Sequence, residues 1–119
     1  MIIGIGTDII EIERIRKTIE NTNFLTRFFS DEENQLFLKK NLSPQTIAGN
    51  FAAKEAFSKA IGTGFRNFKL EDISILRDSL GKPYIKLSGG LSEKFGELKI
   101  HVSISHSEKY ATSYVVIEE

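Results

Sequence analysis

The sequence has no cysteine, no tryptophan, two prolines and one methionine among its 119 residues. The absence of cysteine excludes disulfide bonds, thiolate zinc sites and cysteine nucleophiles, and it makes a reducing cytoplasm the simplest location. Sixteen basic residues balance sixteen acidic ones, so the sequence lacks the net positive charge of most nucleic-acid-binding proteins. We therefore expect a cytoplasmic protein with no nucleic-acid partner.

The sequence also lacks a long apolar run. Its first apolar stretch is interrupted by Gly4, Gly6 and Asp8 and has no basic leader, so it predicts neither a signal peptide nor a membrane span. The hydrophobic fraction of 40% and the charged fraction of 27% are typical of a globular chain. Residues 1–119 are expected to form a single domain.

Hydrophobic periodicity predicts helices mostly in the first half of the chain and strands mostly in the second. The predicted elements are a strand over 2–10, helices over about 11–19, 31–40 and 44–61, a hairpin of strands over 73–76 and 84–87, a short helix over 91–95, and strands over 100–105 and 110–117. This order indicates an α+β fold, in which helices pack on an antiparallel sheet that includes the first strand.

Three local signals set the predicted helix ends. Ser30 and Glu33 form a Ser-x-x-Glu capping box. Ser43 caps the third helix, with Pro44 at the first helical position, and Gly62 ends that helix.

The third predicted helix is apolar around its whole circumference, which is typical of a helix in the interior or against a partner. Glu55 and Lys59 nevertheless lie four residues apart on one of its faces. They could form an ordinary ion pair on a solvated surface. If they are buried instead, a cation and a phosphate ligand would offset the cost of desolvating them.

Asp8 is the carboxylate that could complete such a site. It ends the strand face that carries Gly4 and Gly6, where a bulky ligand could approach the backbone closely. Asp8 could instead be an N-cap of the following helix, which is the commoner role of an aspartate between a strand and a helix. Asp8 and Glu55 together would give the hard oxygen ligands that Mg²⁺ prefers.

Other polar candidates are weaker. Gly62-Thr63-Gly64 could bring backbone amides close to a phosphate or could simply end the helix. Lys82 and His106 are further candidates for contact with an anion. His101 and His106 are five residues apart, a spacing that does not favour a zinc site.

Four segments together resemble the holo-acyl-carrier-protein synthase family, the short 4'-phosphopantetheinyl transferases, along nearly the full chain. They are Gly4-Ile5-Gly6-Thr7-Asp8 with Glu11 and Arg14, Phe51 to Ala60 followed by Gly62-Thr63-Gly64, Gly81-Lys82-Pro83-Tyr84, and His101 to His106. Asn50 departs from the family pattern, which usually has arginine before Phe-Ala. If that arginine contacts a phosphate, the contact is missing here or supplied by another residue.

The resemblance implies the 4'-phosphopantetheinyl transferase-like fold and transfer of the phosphopantetheine arm of coenzyme A to a serine of apo-acyl-carrier protein. It implies that Asp8 and Glu55 hold Mg²⁺ and, with Lys59, form the catalytic set, in which Lys59 also contacts the reacting phosphate. The other residues expected to bind coenzyme A are Gly62, Thr63, Gly64, Lys82, Pro83 and His106.

Two interaction surfaces are also expected. A basic face of the first helix, Arg14 above all with Phe24 and Arg27 in support, should bind the acidic carrier protein. Larger relatives resemble two fused copies of this unit. The resemblance therefore implies that single copies assemble, and we expect a homotrimer with active sites at its subunit interfaces. The apolar third helix and a last strand with few charges at its edge favour the same assembly.

Two other functions fit the same residues. A metal-dependent phosphodiesterase or nucleotide hydrolase would use water as its acceptor. A module without catalytic activity would bind coenzyme A or a carrier protein without turnover.

Overall fold

The computed structural model of the chain describes residues 1–21, 23–62 and 67–119. Its elements in chain order are β1 (Ile2–Glu11), α1 (Ile12–Ile19), α2 (Phe24–Phe28), α3 (Asp31–Lys39), α4 (Pro44–Ile61), a single 3₁₀ turn (Leu70–Asp72), β2 (Ile73–Arg77), β3 (Pro83–Leu87), α5 (Gly89–Phe95), β4 (Lys99–His106) and β5 (Tyr110–Glu118). All predicted strands and helices are confirmed. Helix α2 and the 3₁₀ turn were not predicted, because such short elements leave no periodic pattern.

The predicted helix ends are confirmed by their hydrogen bonds. The hydroxyl of Ser30 accepts from the backbone N–H of Glu33 at 3.2 Å, and the Glu33 carboxylate accepts from the N–H of Ser30 at 3.1 Å. Ser43 likewise accepts from the N–H of Thr46 at 3.3 Å. Gly62 ends α4 with φ of +62°, a backbone conformation that costs glycine little.

The strands form two antiparallel sheets. One has the order β1-β5-β4, and the hairpin of β2 and β3 forms the other. The first strand thus joins a sheet as predicted. Strand β5 pairs on both sides, so the prediction that the last strand offers an exposed edge is wrong.

Helix α4 crosses the inner face of β1 at very short range. A Cβ atom added to Gly6 would lie 1.8 Å from the carbonyl oxygen of Ala56, and one added to Gly4 would lie 2.2 Å from that of Ala60. The glycines therefore leave room for the backbone of α4. The expectation that a bulky ligand approaches β1 beside them is wrong. Their role is to bring α4 against the strand that carries Asp8.

Helix α4 contributes to both hydrophobic cores of the chain. Ala53, Ala56 and Phe57 pack with residues of β2, α5 and β5. Ile47 and Ala48 pack with aromatic and aliphatic residues of the first three helices. The apolar circumference of α4 is therefore covered by its own chain, and it gives no evidence for a partner.

One large apolar surface of the chain remains exposed. The side chains of β1 that point away from α4 include Ile5 and Ile9, which are 63% and 66% exposed, and Tyr114 of β5 is 57% exposed. Ile3 is also exposed on this side of β1. We call this surface, made of Ile3, Ile5, Ile9 and Tyr114, the outer face.

Candidate functional site

Asp8 lies within β1, opposite Ser113 of β5. Strand β1 continues to Glu11, which is the N-cap residue of α1 and makes no side-chain capping bond. Asp8 is therefore three residues too early to cap the helix, and the N-cap alternative is wrong. Its carboxylate, 18% exposed, lies where β1 faces α4.

Glu55 and Lys59 lie one helical turn apart on α4 and meet Asp8 there. The ammonium of Lys59 donates to Asp8 Oδ1 and to the carbonyl oxygen of Thr7, both at 3.0 Å. Burial and the charge of Asp8 raise the pKa of the Glu55 carboxyl, and Lys59 partly opposes this rise. We call Asp8, Glu55 and Lys59 the carboxylate–lysine cluster.

This cluster brings together residues from β1 and α4 that the sequence analysis selected separately. Two carboxylates that repel each other favour a bound cation, and their hard oxygen atoms suit Mg²⁺ when substrate phosphates and water complete its ligands. No group of three or more histidine, cysteine or acidic side chains suited to a metal occurs among residues 1–21, 23–62 and 67–119. Within the cluster, Asp8 and Glu55 are the two carboxylates that could contribute oxygen ligands.

A separate cavity of about 470 Å³ lies between α4, the β2–β3 hairpin and the end of β4. Pro83 and His106, both expected to bind coenzyme A, line it together with Arg77. None of the three cluster residues is among its lining residues. We call it the Arg77 cavity.

The other residues expected to bind coenzyme A are placed differently. Lys82 is exposed in the β2–β3 turn, where its N–H donates to Asp78 Oδ1 at 2.9 Å, and it does not line the Arg77 cavity. Gly62 ends α4, three residues beyond Lys59. Thr63 and Gly64 lie outside the described residues.

The residues expected to bind a carrier protein differ in exposure. Arg14 is exposed on α1, and Arg27 is exposed on α2 with its guanidinium 5.4 Å from the Phe28 ring centre. Phe24 is only 8% exposed and packs against Phe29. Phe24 can therefore hold this surface in place from beneath, while the two arginines are available to a ligand.

A buried ion pair between Glu33 and Lys54 was not predicted. The two side chains are 0% exposed and lie 2.5 Å apart, and Lys54 also donates to the carbonyl oxygens of Leu70 and Ile73. Burial raises the pKa of Glu33 and lowers that of Lys54, although each charge partly offsets the shift of the other. The sequence contained one signal for this ion pair, because Lys54 lies on a helix that is apolar around its whole circumference.

Asn50, the departure from the family pattern, is part of the same network. Its amide donates to Glu33 at 3.0 Å and to the carbonyl oxygen of Ile75 at 2.9 Å. Its oxygen accepts from Arg77 at 2.8 Å. Asn50 itself is fully buried, so it contacts no ligand directly and acts on the surface only through Arg77.

Comparison with known proteins identifies the family of the chain. The family model described as the 4'-phosphopantetheinyl transferase superfamily matches residues 4–115. The holo-[acyl-carrier-protein] synthase of Clostridium novyi (strain NT) is 52% identical, over 99% of this chain and 88% of its own length. No helix in the described parts of the chain is long and apolar enough to cross a membrane.

Two solved structures share the whole architecture. That of holo-[acyl-carrier-protein] synthase from Neisseria meningitidis has a TM-score of 0.89 and 37% identity, with 100% of both chains covered. That of the Bacillus anthracis enzyme, solved in complex with CoA (3',5'-ADP), has a TM-score of 0.83 and 38% identity, covering 100% of this chain and 98% of the other. By sequence and by fold, this chain belongs to the 4'-phosphopantetheinyl transferase superfamily.

Proposed function

We propose that this chain is a holo-[acyl-carrier-protein] synthase. It transfers the 4'-phosphopantetheine group of coenzyme A to a serine of apo-acyl-carrier protein, releases 3',5'-ADP and so prepares the carrier for fatty acid biosynthesis. The observation that carries the proposal is the carboxylate–lysine cluster in a chain of this superfamily. We place the reaction in the cytoplasm, consistent with the sequence's lack of cysteine.

Asp8 and Glu55 are the proposed ligands of Mg²⁺. The fit rests on their chemistry, because two hard carboxylates, of which Glu55 has its pKa raised by burial and by the charge of Asp8, would gain from a bound divalent cation. When bound, Mg²⁺ would offset negative charge on the phosphates of coenzyme A. Substrate oxygens and water would complete its ligands.

Lys59 and Glu55 have complementary roles in the proposed reaction. The Lys59 side chain is 57% exposed, so its ammonium can turn from Asp8 to the diphosphate and offset charge on the leaving 3',5'-ADP. The raised pKa of Glu55 favours accepting a proton from the attacking hydroxyl. That hydroxyl belongs to the carrier serine, so the chain needs no nucleophile of its own.

The Arg77 cavity is the proposed site for the nucleotide part of coenzyme A. Pro83 and His106 line it, and their positions support the expectation from the resemblance. Lys82 would reach the ligand from the β2–β3 turn, and Gly62, Thr63 and Gly64 remain proposed ligand contacts on the basis of the resemblance.

The carrier protein is proposed to dock on α1 and α2. Exposed Arg14 and Arg27 offer positive charge to an acidic carrier helix, and Phe24 packs beneath them.

We further propose a homotrimer with active sites at its subunit interfaces. Two observations support it. The outer face is a contiguous apolar surface of the kind that marks protein contacts. The Arg77 cavity and the carboxylate–lysine cluster do not share a lining within one subunit, so a neighbouring subunit could bring the two halves of a site together.

Intact-mass spectrometry tests the proposed reaction. Apo-carrier protein incubated with coenzyme A, Mg²⁺ and the enzyme should gain the mass of one phosphopantetheine arm, and Glu55→Gln should abolish the gain. Hydrolysis of coenzyme A with an unmodified carrier would identify a phosphodiesterase. Binding of coenzyme A with neither product would identify a module without catalytic activity.

A further inference from the structure

The Arg77 cavity has a positively charged wall. Arg77 lies at the end of β2, and Lys40 and His106 line the same cavity. Asp78 is the only acidic residue of the lining, and its Oδ1 already accepts from the N–H groups of Leu80 and Lys82 at 2.9 Å. The cavity therefore favours an anion.

Arg77 is held in a defined orientation by buried groups. One terminal nitrogen, Nη2, donates to Asn50 Oδ1 at 2.8 Å, and the other, Nη1, donates to the carbonyl oxygen of Leu76 at 3.3 Å. Asn50 is itself fixed, because Glu33 and Ile75 accept both hydrogens of its amide group. This network selects the amide orientation in which oxygen faces Arg77.

The guanidinium retains hydrogen-bonding capacity after these contacts. Arginine has five N–H donors in a rigid plane, and the two bonds to Asn50 and Leu76 leave about three of them for another acceptor. Planar arrays of N–H donors match phosphate oxygens well and form charge-assisted hydrogen bonds with them. Half-buried Arg77 thus presents a preoriented donor array to the Arg77 cavity.

We propose that Arg77, oriented by Asn50, binds a phosphomonoester dianion in the Arg77 cavity and makes the enzyme selective for 3'-phosphorylated nucleotides. This inference rests on the proposed function. Coenzyme A has a diphosphate and one phosphomonoester, the 3'-phosphate. The diphosphate is the reacting group and belongs with the carboxylate–lysine cluster, which leaves the 3'-phosphate for Arg77.

The same pair accounts for the departure at position 50. Where the family usually has arginine, this chain has a neutral buried asparagine, whose oxygen anchors an arginine from β2 instead. Asn50 is a positioning residue, because it acts through Arg77 and is 0% exposed. Arg77 is the residue that contacts the ligand.

Calorimetric titration with coenzyme A and with 3'-dephospho-coenzyme A, which differ only in the phosphomonoester, measures the selectivity directly. The wild-type chain, in the presence of Mg²⁺, should bind coenzyme A about tenfold or more tightly than 3'-dephospho-coenzyme A, because hydrogen bonds between charged partners strengthen binding by about this factor. Arg77→Met should bring the two Kd values to within about threefold of each other. Lys86→Met is the matched control, since Lys86 is an exposed cation on the same hairpin that pairs with Glu32 and does not line the cavity.

Two substitutions at position 50 separate positioning from stability. Asn50→Ala and Asn50→Asp both lose the amide donors to Glu33 and Ile75, so both should unfold at lower temperature. Only Asn50→Asp keeps an oxygen acceptor for Arg77, so only Asn50→Ala should lower the Kd ratio. If neither variant folds, the Arg77→Met comparison decides.

The role of Arg77 is overturned if Arg77→Met keeps the wild-type Kd ratio, or if it weakens both nucleotides equally. Transfer measured by intact mass on the same preparations tests the proposed function separately. If the enzyme transfers the phosphopantetheine arm but Arg77→Met leaves the Kd ratio unchanged, this inference is refuted and the proposed function is not. A ratio that depends on Arg77 in a chain without transfer supports the phosphate site and refutes the transferase proposal.

Discussion

The ammonium of Lys59 lies 3.0 Å from Oδ1 of Asp8 and joins the end of helix α4 to strand β1. This contact depends on the close approach of the two backbones at Gly4 and Gly6. It brings a cation and a carboxylate from distant parts of the sequence to one place, beside Glu55.

Asp8→Asn should weaken metal binding with little effect on the fold. Asparagine keeps the volume of Asp8 but removes a formal charge from a hard-cation site. We expect kcat/KM to fall about 100-fold or more and the free energy of unfolding to change by less than about 1 kcal/mol. Calorimetric titration with Mg²⁺ and thermal unfolding measure the two effects. A variant that melts well below wild type yet turns over normally in limiting Mg²⁺ would make Asp8 a structural residue.

Glu55→Gln should stabilise the protein at pH 7 while abolishing transfer. Burial, and then the Asp8 charge, raise the pKa of Glu55 above 4.5, so the folded state holds this proton more tightly than the unfolded state. The stabilisation from the bound proton is complete below pH 4.5 and is lost as pH rises through the folded pKa. The Tm gain of Glu55→Gln should therefore shrink as pH falls toward 4.5. An equal gain at all pH values would contradict this account.

Lys54→Met should destabilise the chain strongly. Removing one partner of a buried ion pair leaves an uncompensated charge, at a cost of about 3–5 kcal/mol. The pKa of Glu33 should rise further without Lys54. The loss of stability in Lys54→Met relative to wild type should therefore decrease as pH falls. Urea denaturation at pH 7 and pH 5 measures both effects.

The exposed pair of Lys86 and Glu32 provides the matched control. Its 3.0 Å contact is open to water, so Lys86→Met should lower the free energy of unfolding far less than Lys54→Met. Equal losses for Lys54→Met and Lys86→Met would show that burial does not govern the Glu33–Lys54 pair.

Arg14→Glu should weaken carrier recognition and leave coenzyme A binding unchanged. Arg14 is exposed on α1, and charge reversal there should repel an acidic carrier helix. We expect KM for the carrier to rise about tenfold at low salt and its salt dependence to decrease. Steady-state kinetics at two ionic strengths measure this. Wild-type carrier kinetics for the variant at low salt would remove Arg14 from the docking surface.

Ile5→Lys should dissociate the proposed trimer. Ile5 is 63% exposed in one subunit and central to the outer face, so a charge there should disrupt an apolar interface without disturbing the monomer core. Light scattering should report a trimer for wild type and a monomer for the variant, with transfer lost on dissociation. A monomeric, fully active wild-type chain at micromolar concentration would refute shared active sites.

Much of the fold could be predicted from the sequence because its signals are local. The Ser30–Glu33 capping box, the Ser43–Pro44 start and the Gly62 end act over a few residues, so they locate helices without knowledge of the packing. Alternation in β1 and β4 assigned their strands in the same way.

The candidate site was only partly accessible from the sequence. Asp8, Glu55 and Lys59 could be selected because charged side chains stood out in apolar or glycine-rich surroundings. Their residue types also matched a family motif. That Asp8 pairs with Lys59 rather than capping α1 required the register of β1 against α4.

The sequence by itself determined the family, the order of elements and the three residues of the carboxylate–lysine cluster. Only the tertiary structure decided that α4 covers the glycines of β1, that Glu33 pairs with Lys54 in addition to its predicted capping bond, and that Asn50 orients Arg77. The physical reason is the separation along the chain over which each kind of interaction acts. Capping and periodicity act between near neighbours in the chain, whereas a buried charge takes its partner from whichever distant segment the packing brings within hydrogen-bonding distance.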